Sequence, residues 1–543
     1  MQVRSIFITI VLLAFTGRVI AQQKSASKDT MLKNATIEII QSYKPEVQLA
    51  PKPEFVATLP PTDTNKPLFN YEVPTQTLYY TYNALPLRPL ALNKDSLSNP
   101  YNNYAKVGIG NLSTFFMDAG IGSFKGTNYE TAIQLHHLSQ NGSIANQAIT
   151  LSGLEATGIY HTATDTWHAS FDMLRNTYHY YGYDHNVYGY NSSSVQQTFF
   201  GIHATADMQN SKPNEGGIDY HPEVKVGVYT DKYQATETNL GFNLPFSKNI
   251  DTSLKVQVGI NGAITHMNAG TNGSGNNFLQ IAPGISYHKQ AWNAHLFLNP
   301  TFGKDQAYIL PDAFISWKNP FENISVEGGF QSLLHQNTYE ELSTRNPYIY
   351  NTYQIHQTET NELFAGLRSG IGDHISVAAR ASWWQFNKLP VFVNPFGDQK
   401  QFFVTYDEHV TAFSLQGSFR YQVGNSFSIG AGFAWFNYYK STLDHVYHEP
   451  GIRLKSDMMM QITPKLTASA YMSLLNEIFA MGTQGESKKL GGVFDLGASA
   501  EYTFLSRLSG FIQINNILNN KYERWLGYTA YGINIYGGVR VKF

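Results

Sequence analysis

From about residue 103 onward, apolar and polar positions take turns along the chain. At the C-terminus Ile533, Ile535, Val539, Val541 and Phe543 fall on one face, and Asn534, Tyr536, Gly538, Arg540 and Lys542 on the other. Leu254, Val256, Val258, Ile260 and Ile264 alternate with Lys255, Gln257, Gly259, Asn261 and Thr265. Leu466, Ala468, Ala470, Met472 and Leu474 alternate with Thr467, Ser469, Tyr471 and Ser473. A period of two puts successive side chains on opposite faces of a strand, one apolar and one polar. About 21 such segments follow one another, from 105–119, 129–139 and 147–160 to 509–516 and 531–543. Turn-forming residues separate them, as at Asn141-Gly142 and Gly270-Thr271-Asn272-Gly273, which is the punctuation of hairpins.

The environment follows from strand length. Many segments run about 10–16 residues, where soluble strands average about 5–6 and a tilted strand crosses an outer membrane in about 9–11. Aromatics gather at segment ends, in Tyr178-His179-Tyr180-Tyr181, Trp383-Trp384 and Trp435-Phe436-Asn437-Tyr438-Tyr439. Such rings favour the headgroup level and form the girdles of membrane barrels. The last residue, Phe543, closes a strand. The expected fold is therefore all-β: a closed antiparallel transmembrane β-barrel over 103–543, with about 20–22 strands.

Composition sharpens this. Only 14% of the 543 residues are charged and another 14% are aromatic, with 35 Tyr, against about 25% charged in ordinary soluble domains. The net charge of −2 gives no footprint for nucleic acid. With no cysteine, disulfides, thiol catalysis and thiolate zinc sites are excluded.

Ahead of the strands, the apolar run Ile6 to Phe15 follows Arg4 and precedes Val19-Ile20-Ala21. It reads as a signal peptide over 1–21, cleaved between Ala21 and Gln22. Residues 22–102 then carry 10 of the 22 prolines, all between Lys44 and Pro100. Proline removes backbone donors, so this segment is expected to run extended, on the periplasmic side or in the lumen, rather than to form a domain.

The C-terminal stretch is more specific. Phe511-Ile512-Gln513-Ile514-Asn515-Asn516-Ile517-Leu518-Asn519-Asn520-Lys521-Tyr522 leads through Gly527-Tyr528 to the final strand ending in Phe543. With Asn516, Lys521, Tyr522, Gly527, Tyr528 and Phe543 at its signature positions, it resembles the end of TonB-dependent receptor barrels. The stretch Tyr104 to Asn111 resembles the first barrel strand of short TonB-dependent-receptor-like proteins of Bacteroidetes, in which a Pro-rich lead replaces the plug. The resemblance implies an outer-membrane location in a Gram-negative bacterium. It also implies contact with outer-membrane lipid and with the barrel-insertion machinery. TonB or another periplasmic protein is an implied partner of the N-terminal segment. The receptor family's globular plug is not recognisable in 22–102, so the resemblance implies architecture more firmly than energised uptake.

The function expected on these grounds is transport or conduction of small solutes. A non-transporting accessory subunit of an outer-membrane assembly or secretion complex is the alternative. A hydrophobic-substrate transporter of the fatty-acid kind is a third reading. No catalytic, cofactor or metal residue is expected. His136 and His137 are adjacent and must face opposite ways on a strand. Pairs such as Asp165/His168 and Asp444/His445 lack any accompanying nucleophile motif. The segment Tyr180-Tyr181-Gly182-Tyr183-Asp184 between His179 and His185 is expected at an extracellular loop tip or in the interfacial girdle.

Overall fold

The computed structural model describes residues 103–543, apart from Ser123, Tyr353, Pro395 and Phe396. The expected signal peptide, its cleavage point at Ala21 and Gln22, and the Pro-rich segment up to 102 lie outside the described residues. The main sheet has 24 strands. Two of them, Ile218–Tyr220 and Asn272–Gly275, are short pieces paired onto longer neighbours. The other 22 form an antiparallel meander in which each barrel strand pairs with the next.

Closure is made by the first strand, Tyr104–Gly110. It pairs on one side with Phe115–Ile121 and on the other with the last strand, Asn534–Lys542, in a register running from Tyr104↔Lys542 to Gly110↔Tyr536. The Phe543 N–H donates to the Asn103 carbonyl at 3.0 Å, completing the seam. Gly108 and Gly538 face each other there. A Cβ on Gly538 would lie 1.8 Å from the Val107 carbonyl oxygen, so only glycine fits this approach.

The segment expected as one strand over 105–119 is two. Residues 111–114 form a turn in which Leu112 and Ser113 take φ values of 54° and 51°. No Gly or Pro lies within it, and the only glycine beside it is Gly110 at the strand end. The Asn111 carbonyl accepts from the Thr114 N–H at 3.0 Å, and the Asn111 amide donates to the Ile533 carbonyl at 2.9 Å. A contact with the far end of the chain thus holds a turn that local sequence does not announce. Splitting this segment raises the expected count to the observed 22.

Faces follow the alternation. Val256, Val258 and Ile264, and likewise Ile535, Val539, Val541 and Phe543, are exposed on the outside. Their polar neighbours turn inward: Gln513 and Arg540 are buried, and Tyr471 donates to Asn515 across the lumenal face at 3.2 Å. His136 and His137 do point opposite ways. His137 lies outside beside Phe115, with ring centroids 5.7 Å apart, while a Cβ on the lumenal side at Gly153 would meet His136. A closed apolar exterior of this kind is the form in which strands satisfy every backbone group in lipid.

The two ends differ. One carries two-residue turns at 290–291, 464–465 and 506–507, together with Asn103 and Phe543. The other carries the long loops 180–195, 337–356, 394–402, 441–451, 477–492 and 516–533.

Replacing outward Val258 with Arg is expected to destabilise the barrel by about 2–4 kcal/mol if the position lies near the bilayer midplane. The same change at inward Gln257 should cost much less. Urea titration of the protein folded into lipid vesicles measures both.

Candidate functional site

The long loops expose their tips, such as 184–189 and 483–489, but turn much of their length inward. They fold over the barrel mouth and build an apolar core of their own. Tyr339, Leu342, Ile349, Phe392 and Phe402 are fully buried in it, with Tyr181, Trp525 and Tyr528 packed among them. Its centre is the stack of Tyr348 on Tyr528, with ring centroids 3.5 Å apart and planes 18° from parallel. Tyr181 meets Tyr528 edge-on at 4.9 Å, and Phe402 and Phe392 meet Trp525 at 5.6 and 5.2 Å. Aromatic pairs in such geometry contribute about 0.5–1.5 kcal/mol each beyond the area they bury.

Loop 337–356 packs against the barrel wall, and polar contacts fix it at both ends. It contains a single helical stretch, Tyr339–Arg345, with Thr338 as its N-cap: the Thr338 hydroxyl accepts from the Glu341 N–H at 3.1 Å. Two more of the N–H groups that a helix start leaves unpaired are taken by Glu237 of the barrel wall. It accepts from Tyr339 at 2.6 Å and Glu340 at 3.3 Å. The Tyr339 hydroxyl donates to Asp231 at 2.7 Å, and the Tyr229 and Ser343 hydroxyls lie 2.8 Å apart. His203 sits between the wall carboxylate of Asp172 at 2.7 Å and the loop carboxylate of Glu340 at 2.8 Å. At the helix's far end Arg345 pairs with Glu449 of loop 441–451, which also pairs with Arg453 at 2.7 Å. Loop 337–356 thus bridges from the wall strands Gln196–Asn210, Glu223–Asp231 and Ala235–Asn249 to the loop core.

Charge is tuned to this burial. Desolvation alone would push the Glu449 carboxyl up, but the guanidinium groups of Arg345, Arg453 and Arg524 hold it below its ordinary value. Glu341 is likewise held down by His335, against its burial. His448 is the opposite case. Both its ring nitrogens are buried without a hydrogen-bond partner, and the ring packs against Trp525 and Phe402 at 4.9 and 5.2 Å. Burial, helped by Arg524, pushes its pKa down to about 3.

Beneath the loop core lies a cavity of about 2740 Å³. It reaches Tyr348, Arg345 and Trp525 above, and Lys318 and Asn323 near the short turns. Ion pairs across neighbouring strands line it, Arg380 with Glu362 at 2.6 Å and Arg368 with Glu327 at 3.1 Å, and so does Asp312, which pairs with His295 at 3.2 Å.

The signature residues of the C-terminal stretch fall into two places. Asn516, with φ 46°, staples the last long loop: its amide donates to the Asn520 and Tyr531 carbonyls at 2.9 and 2.8 Å. Tyr522 packs beside the small cluster around Ile478 and Ala480. Gly527, with φ 82°, passes so close to Gly182 that a Cβ would lie 2.7 Å from its carbonyl oxygen. Tyr528 donates to the Lys400 carbonyl and stacks in the core. Lys521 is exposed at the rim, and Phe543 is exposed at the opposite end of the barrel. Four of the six signature positions therefore serve the long loops rather than the barrel wall.

Two expectations are corrected. Tyr180, Tyr181 and Tyr183 occupy neither a loop tip nor a girdle. They are buried, because loop 180–195 turns inward against 337–356 and 516–533. Trp384, Phe436 and Tyr438 face the cavity, not lipid, since each sits at an even, lumenal position beside an outward Trp383, Trp435 or Tyr439. The local pairs also dissolve: Asp165 accepts from Tyr220, His168 pairs with Asp207, and His445 stacks on Phe479.

The chain matches no protein-family model and no curated protein. Solved structures do match in fold. The FrpB iron transporter from Neisseria meningitidis aligns over 82% of this chain and 81% of its own, with a TM-score of 0.62 and 11% identity. The siderophore receptor PirA from Acinetobacter baumannii aligns over 81% and 80%, at 0.62 and 9%. The ferric enterobactin receptor PfeA from Pseudomonas aeruginosa aligns over 81% and 80%, at 0.60 and 9%. The barrel architecture implied by the C-terminal resemblance is thus the one found, and at these identities the likeness is one of fold.

Glu237→Ala leaves buried helix N–H groups unpaired and should weaken the docking of loop 337–356 by about 1–3 kcal/mol, seen as faster amide exchange over 339–346. His448 makes a pH prediction. Its folded-state pKa lies below the ordinary 6.5, so the unfolded loops bind the extra proton. Stability of the loop core should be full above about pH 6.5 and fall as pH drops toward about 3. His448→Phe should flatten that part of the profile, read by limited proteolysis of the loops across pH.

Proposed function

We propose that this protein is an outer-membrane barrel that passes small solutes, with the loop core as its gate. The observation that carries the reading is the cavity of about 2740 Å³ inside a closed 22-stranded wall, covered at one end by loops that polar contacts hold in place. Long loops lie outside the cell and short turns in the periplasm in barrels of this kind, so the cavity faces the periplasm and the loop core faces outward. The proteins of like fold are an iron transporter, a siderophore receptor and a ferric enterobactin receptor, and the C-terminal stretch resembles TonB-dependent receptors. Both support a transport role. Residues 22–102, in this reading, follow the signal peptide and precede the first barrel strand, Tyr104–Gly110. They serve as a periplasmic or lumenal segment that narrows the route and is available to TonB or another periplasmic protein.

Solute efflux from liposomes tests the gate. Glu237→Ala should raise the leak of small solutes over that of the parent protein; no solute flux through either would overturn conduction. Deleting 23–100 and recording in planar bilayers tests the narrowing. Conductance should rise, and unchanged conductance removes that role from the segment.

A further inference from the structure

Lumenal positions of a membrane barrel are ordinarily polar, yet four aromatic rings cluster on the cavity wall. Trp384 and Phe386 share one face of their strand, with planes 8° apart and centroids at 5.6 Å. Phe436 and Tyr438 do the same two strands on, at 14° and 5.8 Å. Trp384 and Phe436 are 6.4 Å apart, so the two pairs join into one shelf. The shelf is rigid. Phe386 and Tyr438 pack at its upper edge against the cluster of Val391, Val410 and Val446, and the Trp384 indole donates to Ser414 at 2.9 Å.

Ion pairs flank the rings. Arg453 lies over Phe436, 5.4 Å from the ring centre, and shares Glu449 with Arg345. On the other side Arg380 pairs with Glu362, which also accepts from the Ser382 hydroxyl at 2.6 Å. All these groups except Ser382 line the cavity. Cations and carboxylates are thus interleaved along the shelf. A solute with net charge would have to compete with these pairs, whose separation in a partly desolvated site is costly. A neutral solute bearing hydroxyls need not: carboxylate lone pairs and guanidinium N–H groups beside one another accept and donate together, while ring faces cover its C–H surfaces.

The geometry points to a lumenal binding site for neutral polyhydroxylated solutes, of the size and chemistry of a sugar oligomer, on the Trp384–Phe436 shelf. This deepens the conduction reading by naming the class of solute.

The test is calorimetric titration of the full detergent-solubilised chain with maltohexaose, and separately with benzoate as a charged aromatic of matching ring size. Maltohexaose should bind and benzoate should not. Trp384→Ala and Phe436→Ala should each weaken sugar binding by roughly threefold to tenfold, while Trp384→Phe keeps most of it. Absence of sugar binding, or benzoate binding more tightly than the sugar, overturns the inference. So does sugar binding that both alanine variants retain at parental affinity in a folded barrel, checked by heat-modifiable migration on gels. Binding is read without transport. Sugar binding with no solute flux would overturn conduction and leave the site, whereas flux with no sugar binding would do the reverse.

Discussion

The constraint on which everything else depends is that a sheet in lipid can leave no backbone edge unpaired. An unpaired N–H or C=O in hydrocarbon costs several kcal/mol, so the strand Tyr104–Gly110 must meet the strand Asn534–Lys542 across the full length of the chain between them. That one seam explains the glycines at 108 and 538 and the side-chain-held turn at 111–114. It also puts Asn103 and Phe543 at the same end.

Closing 22 strands creates a second problem. Barrel diameter grows with strand number, and a wall this long cannot fill its interior with its own side chains. Here the long loops supply the filling at one end. They bury aromatic rings as a soluble domain does, yet the loop core is tied to the wall through carboxylates: Glu237 on the helix start, Asp231 on Tyr339, and Asp172 through His203 to Glu340. Polar ties of this kind are satisfied only in one arrangement. Truncating Glu237 strands the buried helix N–H groups that donate to it, which makes the cap specific in position.

The same side-chain types mean different things on the two faces of the wall. Outward Trp383, Trp435 and Tyr439 and inward Trp384, Phe436 and Tyr438 are neighbours in sequence. One set meets the surroundings of the barrel and the other meets the cavity. The inward set stands among paired guanidinium and carboxylate groups. The lumen is therefore a mixed surface on which flat apolar faces and hydrogen-bonding groups alternate.

What the sequence by itself determined is what a period of two can encode: the barrel, the sense of each face, the opposite orientation of His136 and His137, and the strand count to within one missed turn. These are local properties, repeated at every strand. It also marked Asn516, Tyr522, Gly527 and Tyr528 as special, without saying what for. Only the tertiary structure decided that Tyr180, Tyr181 and Tyr183 are core residues, that Tyr348 stacks on Tyr528, and that Glu237 of a wall strand caps the helix of loop 337–356. Each of those contacts joins segments far apart in the chain, and loops carry no periodicity from which a partner could be read. Burial of an aromatic loop residue depends on what folds over it, and that is settled only when the wall has closed and brought the loops to one mouth.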